Sequence, residues 1–219
     1  MGILYGSTAG AQRISRIDFD SIKVETTAAN SRYYHAALLK RFQEADTTLT
    51  RHDFQCLYYG QVFTKQYALY GGAGQNDFMA LYNREEFAKA IPQGEKLLAA
   101  APLDLKLLFK LLVCYHQLGD RAHARQYAQR YFPMLRTIMA SGDGQSRETA
   151  YVVVAVPDEY QVLRELNLAS GKQALVGHTD VLTVTPLDDN GKPTGGKESQ
   201  LYFDVTQSLA ALSREFNKK

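Results

Sequence analysis

The chain lacks tryptophan, has few cysteines and contains no long apolar run. Its 219 residues include only Cys56 and Cys114. Both stand among apolar neighbours and are predicted to be buried core residues, with a disulfide between them left open. No Cys-x-x-Cys motif and no Cys/His cluster is evident, so a structural zinc site is not expected. No apolar stretch approaches the roughly 18 residues of a transmembrane helix, so no membrane span is predicted.

A strong net charge and the short motifs of common enzymes are missing as well. The formal net charge of +2 argues against a dedicated nucleic-acid binder. The sequence has no Gly-x-Ser-x-Gly, His-Glu-x-x-His or Gly-x-Gly-x-x-Gly pattern, so hydrolase, zinc-protease and dinucleotide-binding functions lack support. We therefore predict no catalytic residues, no metal and no cofactor, and we favour a binding protein over an enzyme.

Tyrosine is abundant, with 14 residues. Many of them fall on predicted helices, where the ring can be buried while the hydroxyl stays at the edge of the core. Hydrophobic residues make up 45% of the chain. That share is enough to build one large domain or two small domains packed together.

A helical repeat occupies the middle of the chain, from Asn83 to Phe132. It contains the pattern Tyr115-x-x-Leu118-Gly119-Asp120-x-x-x-Ala124-x-x-x-Ala128. This pattern is typical of the second half of a tetratricopeptide unit, in which small residues sit where two antiparallel helices touch. Such units bind or brace other molecules and carry no chemistry of their own.

Apolar spacing and capping signals predict helices up to about residue 143. The predicted helices are Ser31 to Ala45, a helix capped by Thr50 with Asp53, Asn83 to about Ala100 with a capping box at Glu86, Asp104 to Leu118, and Asp120 to about Ala140. Pro92 and Pro133 are expected to bend the helices that contain them. The residues from Ile14 to Val24 are expected to form an arm on the body, and Tyr70 to Gly74 a flexible loop.

The pattern changes beyond about residue 143. Strands are predicted at Tyr151 to Val156, Val181 to Thr185 and Leu201 to Val205, and helices at Pro157 to about Leu168 and Thr206 to Phe216. The predicted fold class is α+β, with tetratricopeptide-like antiparallel helical hairpins followed by a small antiparallel sheet with one or two helices. The predicted units are residues 1–16 as a disordered segment or signal-peptide remnant, 17–143 as the helical part, and 144–219 as an α+β part packed on it.

Two polar motifs lie at the predicted junction of the parts. Ser141 to Gly144 is expected to be a structural turn, although Asp143 and its flanking glycines could offer backbone N–H groups to an anion. Asp158, Glu159 and Tyr160 begin a predicted helix. Adjacent carboxylates diverge by about 100° around a helix, so a capping role at the positive end of the dipole is favoured over paired acid–base chemistry.

Two other polar groups are possible sites. His178 and Asp180 stand two residues apart before a predicted strand and are expected on one face, but no third ligand is evident. Arg121, Arg125 and Arg136 fall within about 60° on a helical wheel. A solvated face is favoured for these arginines, and a docking surface for an acidic partner is the alternative.

The N-terminus resembles the end of a secretory signal peptide. Small residues run from Ser7 to Gln12, with an Ala-x-Ala pattern at Ala9 and Ala11. The charged and long hydrophobic regions of a signal are not seen. We expect an exported protein, periplasmic or associated with the cell envelope, with a cytoplasmic protein as the alternative.

Several motifs, taken in order, resemble a known family. They are Ser31-x-Tyr33-Tyr34, Arg41-Phe42, Asp46-Thr47-Thr48-Leu49-Thr50, Leu57-Tyr58-Tyr59-Gly60, Ser141-Gly142-Asp143-Gly144, Asp158-Glu159-Tyr160 and Tyr202-Phe203. Over roughly residues 17 to 206 the chain resembles an uncharacterised bacterial family, a domain of unknown function whose members usually carry an export signal. The resemblance implies export and a tetratricopeptide-like helical part. It also implies that these turns and tyrosines matter to the fold or to a shared cleft.

The expected function is that of a non-catalytic, exported interaction or scaffold module whose partner is a protein or peptide. Stacked helical units commonly bind extended segments on a concave face. We expect Tyr58, Tyr59 and Tyr115 to line that face.

The alternative is a small-ligand receptor or a hydrolase-type enzyme with a cleft between the two parts. Carboxylates and a tyrosine could do acid–base work there if burial raised one pKa. The candidate residues at this junction are Ser141, Asp143, Asp158, Glu159 and Tyr160.

Overall fold

The computed structural model describes residues 17–65, 67 and 74–216, which form helices followed by a small sheet. The helices are α1 (Phe19–Thr27), α2 (His35–Gln43), α3 (Arg51–Gly60), α4 (Gln75–Asn83), α5 (Phe87–Ala100), α6 (Leu105–Gln117), α7 (Arg121–Met139), α8 (Glu159–Glu165) and α9 (Thr206–Phe216). The strands are β1 (Tyr151–Val152), β2 (Leu168–Val176), β3 (Thr179–Pro186) and β4 (Ser199–Asp204). The α+β class predicted from the sequence is confirmed. Among these helices, none combines the length and the apolar character needed to cross a bilayer.

Local capping signals fix several helix ends as predicted. The Asp53 backbone N–H donates to Thr50 Oγ1 over 3.2 Å, and the Thr50 N–H donates to the Asp53 carboxylate over 2.7 Å. This reciprocal pair is a capping box at the start of α3. The Asp104 and Asp120 carboxylates cap α6 and α7 by accepting the Leu107 and His123 backbone N–H groups, without a reciprocal bond. Gly119, with φ of 76°, ends the turn between these two helices.

Two features in the first half of the helical part differ from the prediction. The expected arm contains α1, because the Asp18 carboxylate accepts the Asp20 and Ser21 backbone N–H groups and caps a helix there. The helix predicted from Ser31 starts only at His35. Ser31 instead accepts the Tyr33 N–H over 3.0 Å within a turn. The position of Ile14 lies outside the described residues.

The region before α5 also differs from the prediction. Asn83, expected to cap a helix with Glu86, is the last residue of α4, a helix that the sequence analysis missed. Glu86 itself precedes α5 and makes no side-chain cap. In the predicted loop, Gly74 adopts a φ of 95° at the start of α4, and residues 70–73 lie outside the described part. Both α5 and α7 continue as helices through Pro92 and Pro133.

Helix α3 lies at the centre of the helical part. It packs against α1, α2 and α7, while α4 to α7 each pack against the next helix along the chain. Five consecutive residues of α3, from Cys56 to Gly60, are buried. The core continues from α3 into the sheet without interruption, since Leu57 and Tyr58 belong to the same buried cluster as Val153 and Phe203. Residues of both parts therefore share one hydrophobic core.

The sheet has the strand order β1-β4-β3-β2 in the described residues. The neighbours β2–β3 and β3–β4 are antiparallel, but β1 runs parallel to β4, with Tyr151 opposite Phe203. The sheet is thus mixed, whereas the sequence predicted a purely antiparallel sheet. Strand β1 has only two residues, because the chain enters a 3-10 turn at Val156. Strand β2 was not predicted, and the helix expected from Pro157 is the shorter α8.

We predict that Gly142→Ala strongly destabilises the fold. An added Cβ would stand 2.3 Å from the Thr149 carbonyl oxygen and 2.4 Å from the Ala150 carbonyl oxygen. Both obstacles are backbone atoms, so the turn cannot yield as a flexible side chain would. Urea denaturation should show a loss of about 3 kcal/mol or more in the free energy of unfolding.

Gly196→Ala is the matched control for this substitution. Gly196 is exposed, and the nearest atom to an added Cβ is the Thr194 side-chain oxygen at 3.2 Å. Its unfolding free energy should stay within about 0.5 kcal/mol of the wild type. Similar stabilities for the two variants would contradict the steric argument.

Candidate functional site

Tyrosine hydroxyls connect the helical part to the first strand. Tyr59 Oη donates to the Val152 carbonyl over 3.2 Å, and the Val154 N–H donates to Tyr58 Oη over 3.3 Å. Tyr67 Oη donates to the Val154 carbonyl. In a strand, alternate residues direct their N–H and C=O groups to opposite edges. These side chains therefore cover the edge of β1, and of the two residues after it, that faces away from β4.

The predicted structural turn after α7 fastens the same strand. The Val152 N–H donates to Ser141 Oγ over 2.8 Å, and Ser141 Oγ–H donates to the Ile138 carbonyl over 2.6 Å. Asp143 accepts the Gln145 N–H within the turn. Hydrogen bonds from the Thr149 side chain and the Gln145 backbone lower the pKa of Asp143. The polar groups of Ser141 and Asp143 are thus engaged in holding the turn.

Asp158 is buried against Tyr58. Tyr58 Oη–H donates to Asp158 Oδ2 over 2.6 Å, and both side chains are inaccessible to solvent or nearly so. Burial raises the pKa of Asp158 to about 8, although the Tyr58 hydrogen bond opposes this rise. Burial, together with the nearby Asp158 charge, also raises the pKa of Tyr58. The capping role predicted for Asp158 is wrong, since no side-chain cap is present at this helix start.

Glu159 is the most isolated carboxylate of the junction. Its side chain has no solvent exposure, and neither carboxylate oxygen has a hydrogen-bond partner among the described residues. Burial raises the pKa of Glu159 to about 9, with further increases from the Asp180 and Asp158 carboxylates. Folding therefore favours the protonated, neutral form of Glu159, and this side chain does not cap α8 as predicted. Its burial leaves an external substrate no access to the proton.

Tyr58 and Tyr59 do not line an open face, contrary to the prediction. Both rings have no solvent exposure, and they contact each other edge to face with centroids 4.9 Å apart. Their hydroxyls are occupied by backbone groups and by Asp158, so a partner cannot reach them.

The other predicted site residues lie apart from this junction. Tyr115 stacks on Tyr127 and donates to Glu95 over 2.6 Å. Tyr160 is 42% exposed, with its hydroxyl 3.3 Å from Gln173 Oε1. The structure thus brings together Tyr58, Tyr59, Ser141 and Asp158 around the first strand. Glu159 is buried beside this group, the Tyr160 ring that follows it is exposed, and Tyr115 lies away from it on α6.

His178 and Asp180 do not form a pair. His178 is exposed in the turn between β2 and β3, where its carbonyl accepts the Val205 N–H over 3.0 Å. Asp180 is buried within β3 and accepts a hydrogen bond from Gln173 over 2.8 Å. The expectation that strand alternation places both on one face fails because His178 precedes the strand.

A large open groove runs along α7, and we call it the α7 groove. Its volume is about 990 Å³. One wall is α7, and the other is the chain from the end of α2 into α3. The lining residues are Asp46, Thr47, Leu49, Arg51, Phe54, Arg125, Ala128, Gln129, Phe132, Pro133, Arg136, Thr137, Met139, Ala140 and Glu165. The junction carboxylates are not among them.

The α7 groove carries unpaired positive charge. Arg125 and Arg136 form no side-chain hydrogen bond or ion pair with any described residue. Asp46 in the opposite wall is already held by Arg41 over 2.8 Å. Its bonds to Thr48, followed by that to Arg41, lower the pKa of Asp46 to about 2. Arg121, the third arginine of the predicted stripe, does not line the groove.

The arginines of the α7 groove could be predicted from the sequence, but the groove itself could not. A helical wheel places Arg125 and Arg136 on one side of α7, yet the opposite wall comes from the Asp46 to Thr50 turn, far away in the sequence. Only the packing of α3 on α7 brings the two together.

Comparisons with known proteins show the family. The model of a family described as "Domain of unknown function (DUF4919)" matches residues 20–214 of the chain. No curated protein and no solved structure matches.

Buried Glu159 gives a testable dependence of stability on pH. The pKa of Glu159 is raised from 4.5 to about 9 by folding, so the folded state holds this proton more tightly than the unfolded state. Its contribution to stability is complete below pH 4.5 and is lost as the pH rises towards 9. Glu159→Gln removes this titration and should be more stable than the wild type at pH 9, by about 1.4 kcal/mol for each unit by which folding raises the pKa of Glu159.

Urea denaturation of wild type and variant across this pH range measures the effect. In Glu159→Gln the free energy of unfolding should still decrease with rising pH, but less steeply than in the wild type, because Asp158 still titrates. Glu165→Gln changes an exposed carboxylate of the same helix and should keep the wild-type profile. Superimposable profiles for wild type and Glu159→Gln would refute the argument.

Proposed function

We propose that this chain, which belongs to the DUF4919 family of domains of unknown function, is a non-catalytic binding module that holds an acidic segment of a partner protein in its α7 groove. The observation that carries the proposal is the pair of unpaired arginines, Arg125 and Arg136, in a groove with an apolar floor. Guanidinium groups favour carboxylates because their planar N–H donors match the two oxygens.

The spacing of the arginines favours an extended segment over a compact ligand. Arg125 and Arg136 are eleven positions apart in α7, which is about 16 Å along a helix axis. An extended peptide advances about 3.3 Å per residue, so carboxylates about five residues apart would meet both arginines. A compact small molecule would not span this distance.

The floor between the arginines accepts apolar side chains. Ala128, Phe132 and Pro133 line it on α7, and Leu49 and Phe54 line the other wall. Phe132 is 38% exposed although it is a large hydrophobic residue. Exposed aromatic rings beside arginines are typical of protein-binding surfaces. The partner segment is therefore acidic at its ends and apolar in the middle.

The helical architecture supports a binding role. The chain-order packing of α4 to α7 and the short turns at residues 84–86, 101–104 and 118–120 suit antiparallel hairpins. We propose that these hairpins are tetratricopeptide-like, on the strength of the Tyr115 to Ala128 pattern. Helix α7 also contributes Tyr131, Met134 and Ile138 to the core that continues into the sheet. Acidic Asp46 and Glu165 in the groove, with the low net charge, disfavour nucleic acid as the partner.

The alternative of an enzyme or receptor at the junction has weaker support. Asp158 and Glu159 have raised pKa values, as catalytic acids often do. Their side chains, however, are only 5% and 0% exposed, and neither lines the α7 groove. Buried structural carboxylates also show such shifts, so the groove is the better candidate.

We also propose that the protein is exported. The support is the resemblance described above and the small-residue pattern from Ser7 to Gln12, which lies outside the described residues. Fractionation of the source cells, with immunodetection of the chain, should find it in the envelope or secreted fraction. Recovery only with cytosolic markers would contradict export.

Charge reversal in the groove tests the binding role. The probe is a fluorescein-labelled peptide of about twelve residues with two glutamates about five residues apart and leucines between them. Fluorescence anisotropy should show that Arg125→Glu/Arg136→Glu binds it at least about tenfold more weakly than wild type, because attraction becomes repulsion. Added salt should weaken wild-type binding.

Two controls sharpen this experiment. Arg121→Glu reverses one charge on α7 outside the groove, half the charge change of the double variant, and should leave the affinity within about twofold. The same peptide with glutamines in place of glutamates should bind weakly. Equal binding of both peptides, or equal binding by the double variant and wild type, would overturn the proposal.

A further inference from the structure

Three side chains of different chemistry meet where α1 packs on α3. Glu25 comes from α1, while His52 and Cys56 stand one turn apart on α3. Glu25 Oε2 lies 2.9 Å from His52 Nε2 and 3.2 Å from Cys56 Sγ, and the last two atoms are 3.5 Å apart. Within the described residues, no other set of three such groups converges in this way.

We propose that this cluster binds a divalent transition-metal ion, with Zn²⁺ as the best fit. Imidazole nitrogen, thiolate sulfur and carboxylate oxygen are all ligands of zinc, at about 2.0–2.3 Å. In a tetrahedral site these bond lengths separate the nitrogen and oxygen by about 3.4 Å, and the sulfur from either by about 3.6 Å. The observed triangle differs from these separations by at most about 0.5 Å, so small side-chain rotations would complete it. Magnesium and calcium would avoid the sulfur.

The neighbours of His52 orient its ring for this role. His52 Nδ1 lies 3.3 Å from Gln55 Oε1, and the edge-to-face contact with the Tyr33 ring has a centroid distance of 4.6 Å. When Nδ1–H donates to Gln55, the lone pair of Nε2 is free for a metal. Metal-binding histidines commonly have their second nitrogen held in this manner.

The cluster lies at the boundary between core and solvent. Cys56 is fully buried, whereas the side chains of His52 and Glu25 are 43% and 33% exposed. A bound ion would contact the sulfur on its inner side and keep its fourth position towards solvent, where water can coordinate. Sites with three protein ligands and one open position differ in this respect from closed structural zinc sites.

Excess negative charge around the thiol favours a cation. Burial and the neighbouring Glu25 and Asp53 carboxylates raise the pKa of Cys56. Asp53 Oδ1 is buried without a hydrogen-bond partner in the described part of the chain. Without metal, the Cys56 thiol donates to Glu25. On binding, the S–H bond breaks, a sulfur–metal bond forms and one proton leaves to solvent, so the affinity should rise with pH.

Metal titration of the full chain, stripped with EDTA and dialysed, tests the proposal. Isothermal titration with Zn²⁺ should show one ion per chain, and Co²⁺ should give a near-ultraviolet thiolate-to-metal charge-transfer band. His52→Ala and Cys56→Ser should each weaken Zn²⁺ binding at least about a hundredfold, because each removes one of three ligands. Between pH 6 and 8, wild-type affinity should rise by up to about tenfold per pH unit.

Matched controls separate the cluster from general metal binding. Cys114→Ser replaces the other buried cysteine. His123→Ala removes a histidine that also pairs with a carboxylate, Asp120 at 2.7 Å, but has no thiol nearby. Both controls should bind Zn²⁺ as wild type does. Because Cys56 is in the core, Glu25→Gln at a partly exposed position serves as a third test variant whose folding is less at risk.

Three results would overturn the metal site. They are the absence of Zn²⁺ binding by the stripped wild type, undiminished binding by folded Glu25→Gln and His52→Ala, and a Co²⁺ spectrum without the thiolate band. Circular dichroism of each variant establishes that it is folded before its affinity is compared.

Discussion

Buried backbone N–H and C=O groups need hydrogen-bond partners. In this protein, tyrosine side chains provide them for β1 and the residues that follow it. A buried group left unpaired costs about 1–3 kcal/mol, and the outward edge of β1 presents several such groups. Tyr58, Tyr59 and Tyr67 pair with them, and Ser141 pairs with one more. An edge that would otherwise invite another strand is thereby closed. The position of α3, the burial of Asp158 and the continuity of the core all depend on this arrangement.

The fold could be predicted from the sequence where the signals are local. The caps at Thr50, Asp104 and Asp120 specify helix starts within one turn, and they were found. Strand β2 was missed because most of its residues are exposed, so its sequence lacks the apolar alternation on which strand prediction depends. Helix α4 was missed because it follows a glycine without a side-chain cap. The parallel pairing of β1 with β4 joins residues about fifty positions apart, which no local pattern records.

In the candidate sites too, local features could be predicted from the sequence, whereas contacts between distant segments could not. The helical wheel brought Arg125 and Arg136 to one side of α7, but the wall that makes them a groove is a turn far away in sequence. The tyrosines of α3 were expected to line a concave face of stacked helices. Their rings are buried, and their hydroxyls pair with backbone groups and with Asp158. His52 and Cys56 have the spacing of two ligands on one helix face. Their third partner, Glu25, could not be recognised while α1 was taken for an arm.

The reach of the Tyr59 hydrogen bond across 93 positions has a consequence for the order of folding during synthesis. Tyr59 of α3 is synthesised before Val152, by roughly 5–20 seconds at about 5–20 residues per second. Through that interval its tyrosine hydroxyls have only water as a partner, and the surface that will receive the strand stays uncovered. The helices that are synthesised first thus keep part of their core-forming surface exposed, until the last third of the polypeptide folds against it.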